Sequence, residues 1–189
     1  MGRHPGTSRG ADYMRGFTWG VKGEEVVMAN LNRQLEGIKN RSMKGLIMAA
    51  AFIRNETEKV PPLTPIDTGN MNASWFVVTA DRIVKGGGTP KFEGKDAGEL
   101  STDHTSTLSE AQGEVKTQSM GDKRVLMMGY SANYSGFVHE MIGANFNPKN
   151  RKGTKRRREG AGPKWLESAI KRNTGKIVQI VKDNAQIKG

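Results

Sequence analysis

His139 and Glu140 form the pair in this chain whose residue types are best suited to reaction chemistry. An imidazole can take a proton, and a neighbouring carboxylate can orient it or help hold a metal. The spacing argues against both uses. Adjacent residues on a regular element point to different sides. The chain has three histidines, and the other two, His4 and His104, stand far from metal-ligand spacing in stretches expected to be mobile. His139-Glu140 therefore reads as a structural polar pair near an interface. Asp67-Thr68-Gly69 has the residue types of an aspartic-protease triplet, but it occurs once and follows Pro61, Pro62 and Pro65. There it reads as a turn, with Asp67 holding local amides and Gly69 taking a positive φ. Ser74, Ser131 and Ser135 lack a nucleophile elbow, and Gly86-Gly87-Gly88 lacks the Lys-Ser/Thr of a phosphate loop. With no cysteine in the chain, disulfides, thiolate catalysis and cysteine zinc sites are excluded. No catalytic residue, cofactor or metal is expected.

Charge carries the stronger signal. The net charge is +11, and much of it sits in residues 147–158. There Lys149, Arg151, Lys152, Lys155, Arg156, Arg157 and Arg158 form seven cations with no acid until Glu159. Such a tract can face phosphate or an acidic protein surface. No regular base-reading motif accompanies it, and aromatic residues make up 6% of the chain. The readings are a solvated or partner-facing loop, or non-specific proximity to a DNA backbone. Residues 85–123 carry the opposite charge. Between Gly86 and Asp122 seven acids stand against three lysines, and apolar residues are sparse. The segment reads as a long acidic loop insertion, with a short hairpin around residues 114–117.

The elements that would position these residues are legible from periodicity. Residues 24–59 predict a long helix, because Val27, Leu31, Leu35, Ile38, Ser42, Leu46, Ala49 and Ile53 recur every three or four positions. Gly37 and Gly45 mark a kink or a close crossing within it. Pro61, Pro62 and Pro65 end the helix. Residues 70–84 then read as a strand with a bend at Asp81-Arg82, and residues 124–129 as another. Residues 163–184 predict a closing helix, with Pro163 in its first turn. The fold class is α+β, with the long N-terminal helix and the C-terminal helix packed on a small, mainly antiparallel sheet. Residues 1–23 read either as a flexible tail with tag remnants or as an arm whose Tyr13, Phe17 and Trp19 could dock on a neighbouring subunit, residues 24–184 as one domain, and residues 185–189 as a tail. Hydrophobic residues are 35% of the chain, below the usual share of about 45–50%, so burial against partner copies would complete a small core. No apolar run suits a membrane span or a signal-peptide core.

Three stretches carry a family resemblance. Thr64-Pro65-Ile66-Asp67-Thr68-Gly69-Asn70-Met71-Asn72-Ala73-Ser74-Trp75 resembles the front signature of the HK97 gp ten-like family of tailed-phage head–tail joining and tail-completion proteins. Gly129-Tyr130-Ser131-Ala132-Asn133-Tyr134-Ser135-Gly136-Phe137-Val138-His139-Glu140 is similar to the second. Gly160-Ala161-Gly162-Pro163-Lys164-Trp165-Leu166-Glu167-Ser168-Ala169-Ile170 is similar to the third, and the three stand in the family's order. The resemblance implies a non-enzymatic α+β protein, made in the bacterial host cytoplasm, that assembles as a ring in the virion neck. A hexamer is favoured over a dodecamer. Its neighbours would be the connector, adaptor or stopper proteins and the tail tube. On that analogy Pro61, Pro62, Pro65, Asp67, Gly69 and Trp75 form a structural hinge. Tyr134, Phe137, His139 and Glu140 fix the region after the second strand against the sheet or a neighbour, and Trp165 and Leu166 anchor the closing helix. The 1–23 arm, the acidic segment and the basic tract are elaborations on a compact member. Their opposite charges suggest that the acidic segment of one subunit faces the basic tract of another. The alternative from charge alone is a nucleic-acid-binding module contacting the phosphate backbone.

Overall fold

A computed structural model describes residues 24–88, 90–119, 123–144, 146 and 158–186. The chain divides into two units, residues 1–36 and 37–189. Within the first unit the described residues are helical, and Met28, Leu31 and Leu35 lie exposed on one side at spacings of three and four.

Helix α1 runs Glu24–Lys59, as its periodicity predicts. In the second unit its buried side is Ala49, Ala50, Ile53 and Thr57, one stripe of a 3.6-residue repeat. The prolines end it, and the short helix α2 (Asn70–Ala73) follows. Strand β1 (Trp75–Thr79) is central in a three-stranded antiparallel sheet, between β2 (Ile83–Lys85) and β3 (Leu126–Tyr130). The β1–β3 register pairs Trp75 with Tyr130 and Val77 with Met128. The single strand expected over residues 70–84 is thus a helical turn followed by two paired strands. Thr79 closes their turn, where its amide and hydroxyl both donate to the Arg82 carbonyl.

Residues 85–123 depart most from expectation. They hold helix α3 (Ala97–Gln118), and the proposed hairpin at residues 114–117 is its last turns. Leu100, His104, Leu108, Ala111 and Val115 are buried at spacings of four, four, three and four. Leu108, Ala111 and Val115 pack with Phe76 and Val78 of β1 as the hydrophobic core. The segment looked coreless because its few apolar residues all fall on one stripe while its acids fill the other faces. Successive β1 residues point to opposite sides, so α3 covers the Phe76–Val78 face. On the other face, Arg54 of α1 lies 5.3 Å from the Trp75 ring centroid.

Helix α4 spans Ser135–Glu140. The expected closing helix is two, α5 (Trp165–Arg172) and α6 (Thr174–Ala185). Asn173 divides them: its side-chain amide donates to the Ala169 carbonyl and to Glu56 of α1, each at 3.0 Å. No described helix is long and apolar enough to cross a membrane. Gly45 lets α1 and α6 meet, since a Cβ there would stand 2.9 Å from the Val181 Cα and 3.1 Å from its carbonyl oxygen. Of the two expected outcomes at this glycine, the close crossing is the one observed.

Two glycine substitutions should therefore have opposite signs. Gly45→Ala forces backbone apart, at a cost of about 1–3 kcal/mol for overpacking, against a helix-propensity gain of about 1 kcal/mol. Gly113→Ala in α3 meets no heavy atom within 4 Å and should stabilise by about 0.4–1 kcal/mol. Denaturant midpoints of the two variants check both signs. Stabilisation by Gly45→Ala would rule out the close crossing.

Candidate functional site

The three separated stretches singled out in the sequence meet at Tyr130. Its hydroxyl receives a hydrogen bond from Arg54 Nη1 at 2.5 Å and lies 3.1 Å from Thr64 Oγ1. The Arg54 guanidinium sits 5.3 Å from both the Trp75 and Tyr130 ring centroids, a cation–π geometry. Trp75 and Trp165 meet Tyr130 edge-on at 5.1 and 6.0 Å, and His139 meets Trp165 edge-on at 4.7 Å. Backbone bonds fix the same segments together. Leu63 pairs with Ala161 in a parallel bridge, its amide donating to the Gly160 carbonyl at 2.8 Å. The Ser131 amide donates to the Ser74 carbonyl at 3.0 Å, and the Lys164 amide to the His139 carbonyl at 2.8 Å.

The hinge behaves as a turn, with one change of role. Gly69 has φ 99°, the left-handed region that favours glycine. The local bond is made by Thr68, whose Oγ1 accepts the Asn70 amide at 3.3 Å. Asp67, expected to hold the turn, is exposed and lines two clefts instead. The Asn70 side chain brackets Glu93, donating to its carbonyl at 2.8 Å and accepting its amide at 2.7 Å.

His139 and Glu140 do bond, Nδ1 to Oε1 at 2.8 Å. The other ring nitrogen, Nε2, is buried without a protein partner while the ring abuts Trp165. Nε2 thus faces the packed side of the ring, and Nδ1 is engaged with Glu140. Glu140 also pairs with Lys164, which reaches Glu167 at 3.2 Å, and Glu167 pairs with Lys171 at 2.5 Å. Bonds from Lys164 first, then His139, hold the Glu140 carboxyl below its usual range. Lys171 first, then Lys164, pull Glu167 down to about 2. The same carboxylates raise Lys164, with Glu140 the larger influence.

His104 is the residue the sequence reading placed wrongly. It is buried on α3, with Nδ1 2.6 Å from the Ser131 hydroxyl and Nε2 2.6 Å from the Gly86 carbonyl. A carbonyl only accepts, so Nε2 carries the proton. The imidazole thus ties α3 to the end of β2 and to the residue after β3. Its phase with Leu100 and Leu108 was the available signal.

Arg158, counted in the basic tract, is committed within the chain: Nη1 bonds the Glu58 carboxylate and Nη2 donates to the Glu58 carbonyl at 2.7 Å. Lys149, Arg151, Lys152, Lys155, Arg156 and Arg157 lie outside the described residues, as do Tyr13, Phe17 and Trp19. Trp165 is buried, Leu166 half-buried, and Phe137 is 70% exposed with Ile142 beyond it at 78%. Phe137 therefore does not fix its region against the sheet.

Two clefts flank the hinge. One, about 340 Å³, has an apolar lining that includes Ile66, Met71, Val138, Met141 and Phe146. The other, about 510 Å³, is lined by Asp67, Glu93, Asp96 and Glu99 with one lysine, Lys95. Asp67, Thr68 and Tyr134 line both. Burial first, then the Asp67 charge, raises the Tyr134 phenol above its usual value, against a Thr68 hydrogen bond that lowers it. No group of three histidines, aspartates or glutamates among the described residues is placed to hold a metal.

No family model, curated protein or solved structure matches the chain.

The carboxylates around Lys164 set an acid-side dependence. Depressed Glu140 and Glu167 contribute stability that is full above the ordinary carboxyl value of 4.5 and is lost as pH falls toward about 2 for Glu167. Lys164→Gln should flatten that limb of the stability–pH curve by lowering the neutral plateau slightly, exposed pairs contributing little, while the acid end, where both carboxyls are protonated, stays where it is. Denaturation midpoints across this range test it. An unaltered acid limb would remove Lys164 from the network.

Proposed function

We infer that the protein is a structural virion component of a tailed phage, forming a homo-oligomeric ring in the neck that joins the head connector to the tail. The observation that carries this reading is the joint at Tyr130. The three stretches resembling the head–tail joining family lie far apart in sequence, and their residues pack together there. A chance resemblance in three places has no reason to converge in space. Many of their polar groups bond backbone carbonyls or one another, among them Thr64, Ser74, Tyr130 and Ser131, and the His139 ring packs against Trp165. A scaffold uses groups in this way, since its task is to hold shape under load.

An interface is the second requirement of a ring. Phe137 and Ile142 are large apolar side chains standing mostly in water within the same short stretch, and exposed apolar surface of this kind marks contact sites. The acids of α3 turn outward while the basic tract supplies the opposite charge. That suits a salt-sensitive contact between copies. Closed head-to-tail contacts give cyclic symmetry at any copy number, and the family resemblance is what favours a hexamer over a dodecamer.

Sedimentation of the purified chain should give a discrete oligomer free of nucleic acid. The double variant Phe137→Ser, Ile142→Ser should shift it toward monomer with little change in melting temperature. A monomer at all concentrations with steeply salt-dependent DNA binding would replace the ring with the nucleic-acid reading. A density map of the intact particle would then fix layer and copy number.

A further inference from the structure

The two clefts beside the hinge meet at Asp67, Thr68 and Tyr134, which line both. Their chemistries differ. One is lined mainly by apolar residues, among them Ile66, Met71, Val138 and the partly exposed Met141, with Arg158 also in the lining. The other presents four carboxylates, Asp67, Glu93, Asp96 and Glu99, against the single ammonium of Lys95. An occupant of both must bring apolar side chains to one half and positive charge to the other, along a segment able to run between them.

Residues 9–22 of this chain have that composition. Tyr13, Phe17 and Trp19 alternate with Arg9, Arg15 and Lys22, with Asp12 the lone acid. Fully extended, the ten residues from Tyr13 to Lys22 reach at most about 33–36 Å, ample for two adjoining clefts. Phenylalanine and tryptophan have large apolar areas that favour burial, and a volume near 340 Å³ is in the range of pockets that bury such groups, about 300–1,000 Å³.

We propose that residues 9–22 of a second copy of this chain lie in the groove formed by the two clefts. Phe17 and Trp19 enter the apolar half, and the flanking cations face the acidic half. Each copy then offers one groove and one arm, a head-to-tail contact that closes into a ring. The proposal rests on the homo-oligomer reading above and names a contact within it.

The chain has no cysteine, so two introduced thiols report on each other alone. Full chains carrying Thr18→Cys and, separately, Met141→Cys at the lip of the apolar cleft are co-expressed with different tags and oxidised. Ile142→Cys, exposed and one residue further on, replaces Met141→Cys if the latter lowers the melting temperature. The expected result is an interchain disulfide joining the two tags. Its yield should be about tenfold above that with Lys176→Cys on α6 as partner, through local concentration. Adding Phe17→Ala and Trp19→Ala to the arm should abolish the excess. A yield no higher than the Lys176→Cys control overturns the proposal, as does an excess that survives loss of both aromatics. Sedimentation of the unsubstituted chain separates the two readings. An oligomer without the cross-link removes the docked arm and leaves the ring, whereas a monomer removes both.

Discussion

The carbonyls at the proline-terminated end of α1 need donors that the helix cannot supply, and the C-terminal part of the chain is arranged to provide them. Arg158 donates to the Glu58 carbonyl at 2.7 Å, and Arg172 donates to those of Val60 and Pro61 at 3.1 Å each. Both guanidiniums lie where the helix dipole is negative, and α1 itself supplies their carboxylate partners, Glu58 and Glu56. Two cations about a hundred residues downstream thereby cap the hinge. The direction in which the chain leaves α1 is consequently coupled to where α5 begins and ends.

Tyr130 extends that coupling to the sheet. Arg54 donates to its hydroxyl, which lies 3.1 Å from Thr64 Oγ1; Thr64 Oγ1 in turn donates to the Thr57 carbonyl at 3.4 Å, and the Thr57 hydroxyl to the Arg54 carbonyl at 2.8 Å. With the Tyr130 hydroxyl as acceptor from Arg54 and donor to Thr64, the chain of bonds runs in one direction and closes back on α1. Buried polar groups satisfied in this way specify one arrangement, because each alternative leaves a donor or acceptor unpaired at a cost of about 1–3 kcal/mol. The aromatic edges of Trp75 and Trp165 complete the surround.

How much of this was legible follows from the physics of each element. Helix α1 showed itself because its period persists over many turns. The two principal strands did so through clustered valines, aromatics and methionines. Helix α3 was hidden because composition and phase disagree: a net acidic, apolar-poor stretch can still put Leu100, Leu108, Ala111 and Val115 on one side, and charge counting averages over faces. His104 in that same phase is a polar residue with two fixed partners, which no hydropathy count registers. The break at Asn173 depends on a side chain bonding both Ala169 and Glu56, a tertiary event. The same holds for Arg158, whose role is set by an acid a hundred positions away. At the site, the turn at Gly69 was readable from local chemistry, whereas the anchoring of Trp165 came only with the family resemblance and the convergence on Tyr130 is a tertiary event that no local pattern registers.

Helix α4 shows where the internal logic stops. An amphipathic helix ordinarily turns its apolar side chains to its own core. Here none of its residues is fully buried. It is held through polar bonds, from the Lys164 amide to the His139 carbonyl and from Lys164 to Glu140, while Phe137 and, just beyond it, Ile142 face outward. The polarity is inverted relative to an element stabilised from within. Anchoring by polar bonds leaves the apolar side chains free for a second surface, and the same short stretch borders the apolar cleft through Val138 and Met141. Polar bonds to Lys164 hold α4 from behind, and Phe137 on it and Ile142 just beyond it stay exposed among the described residues.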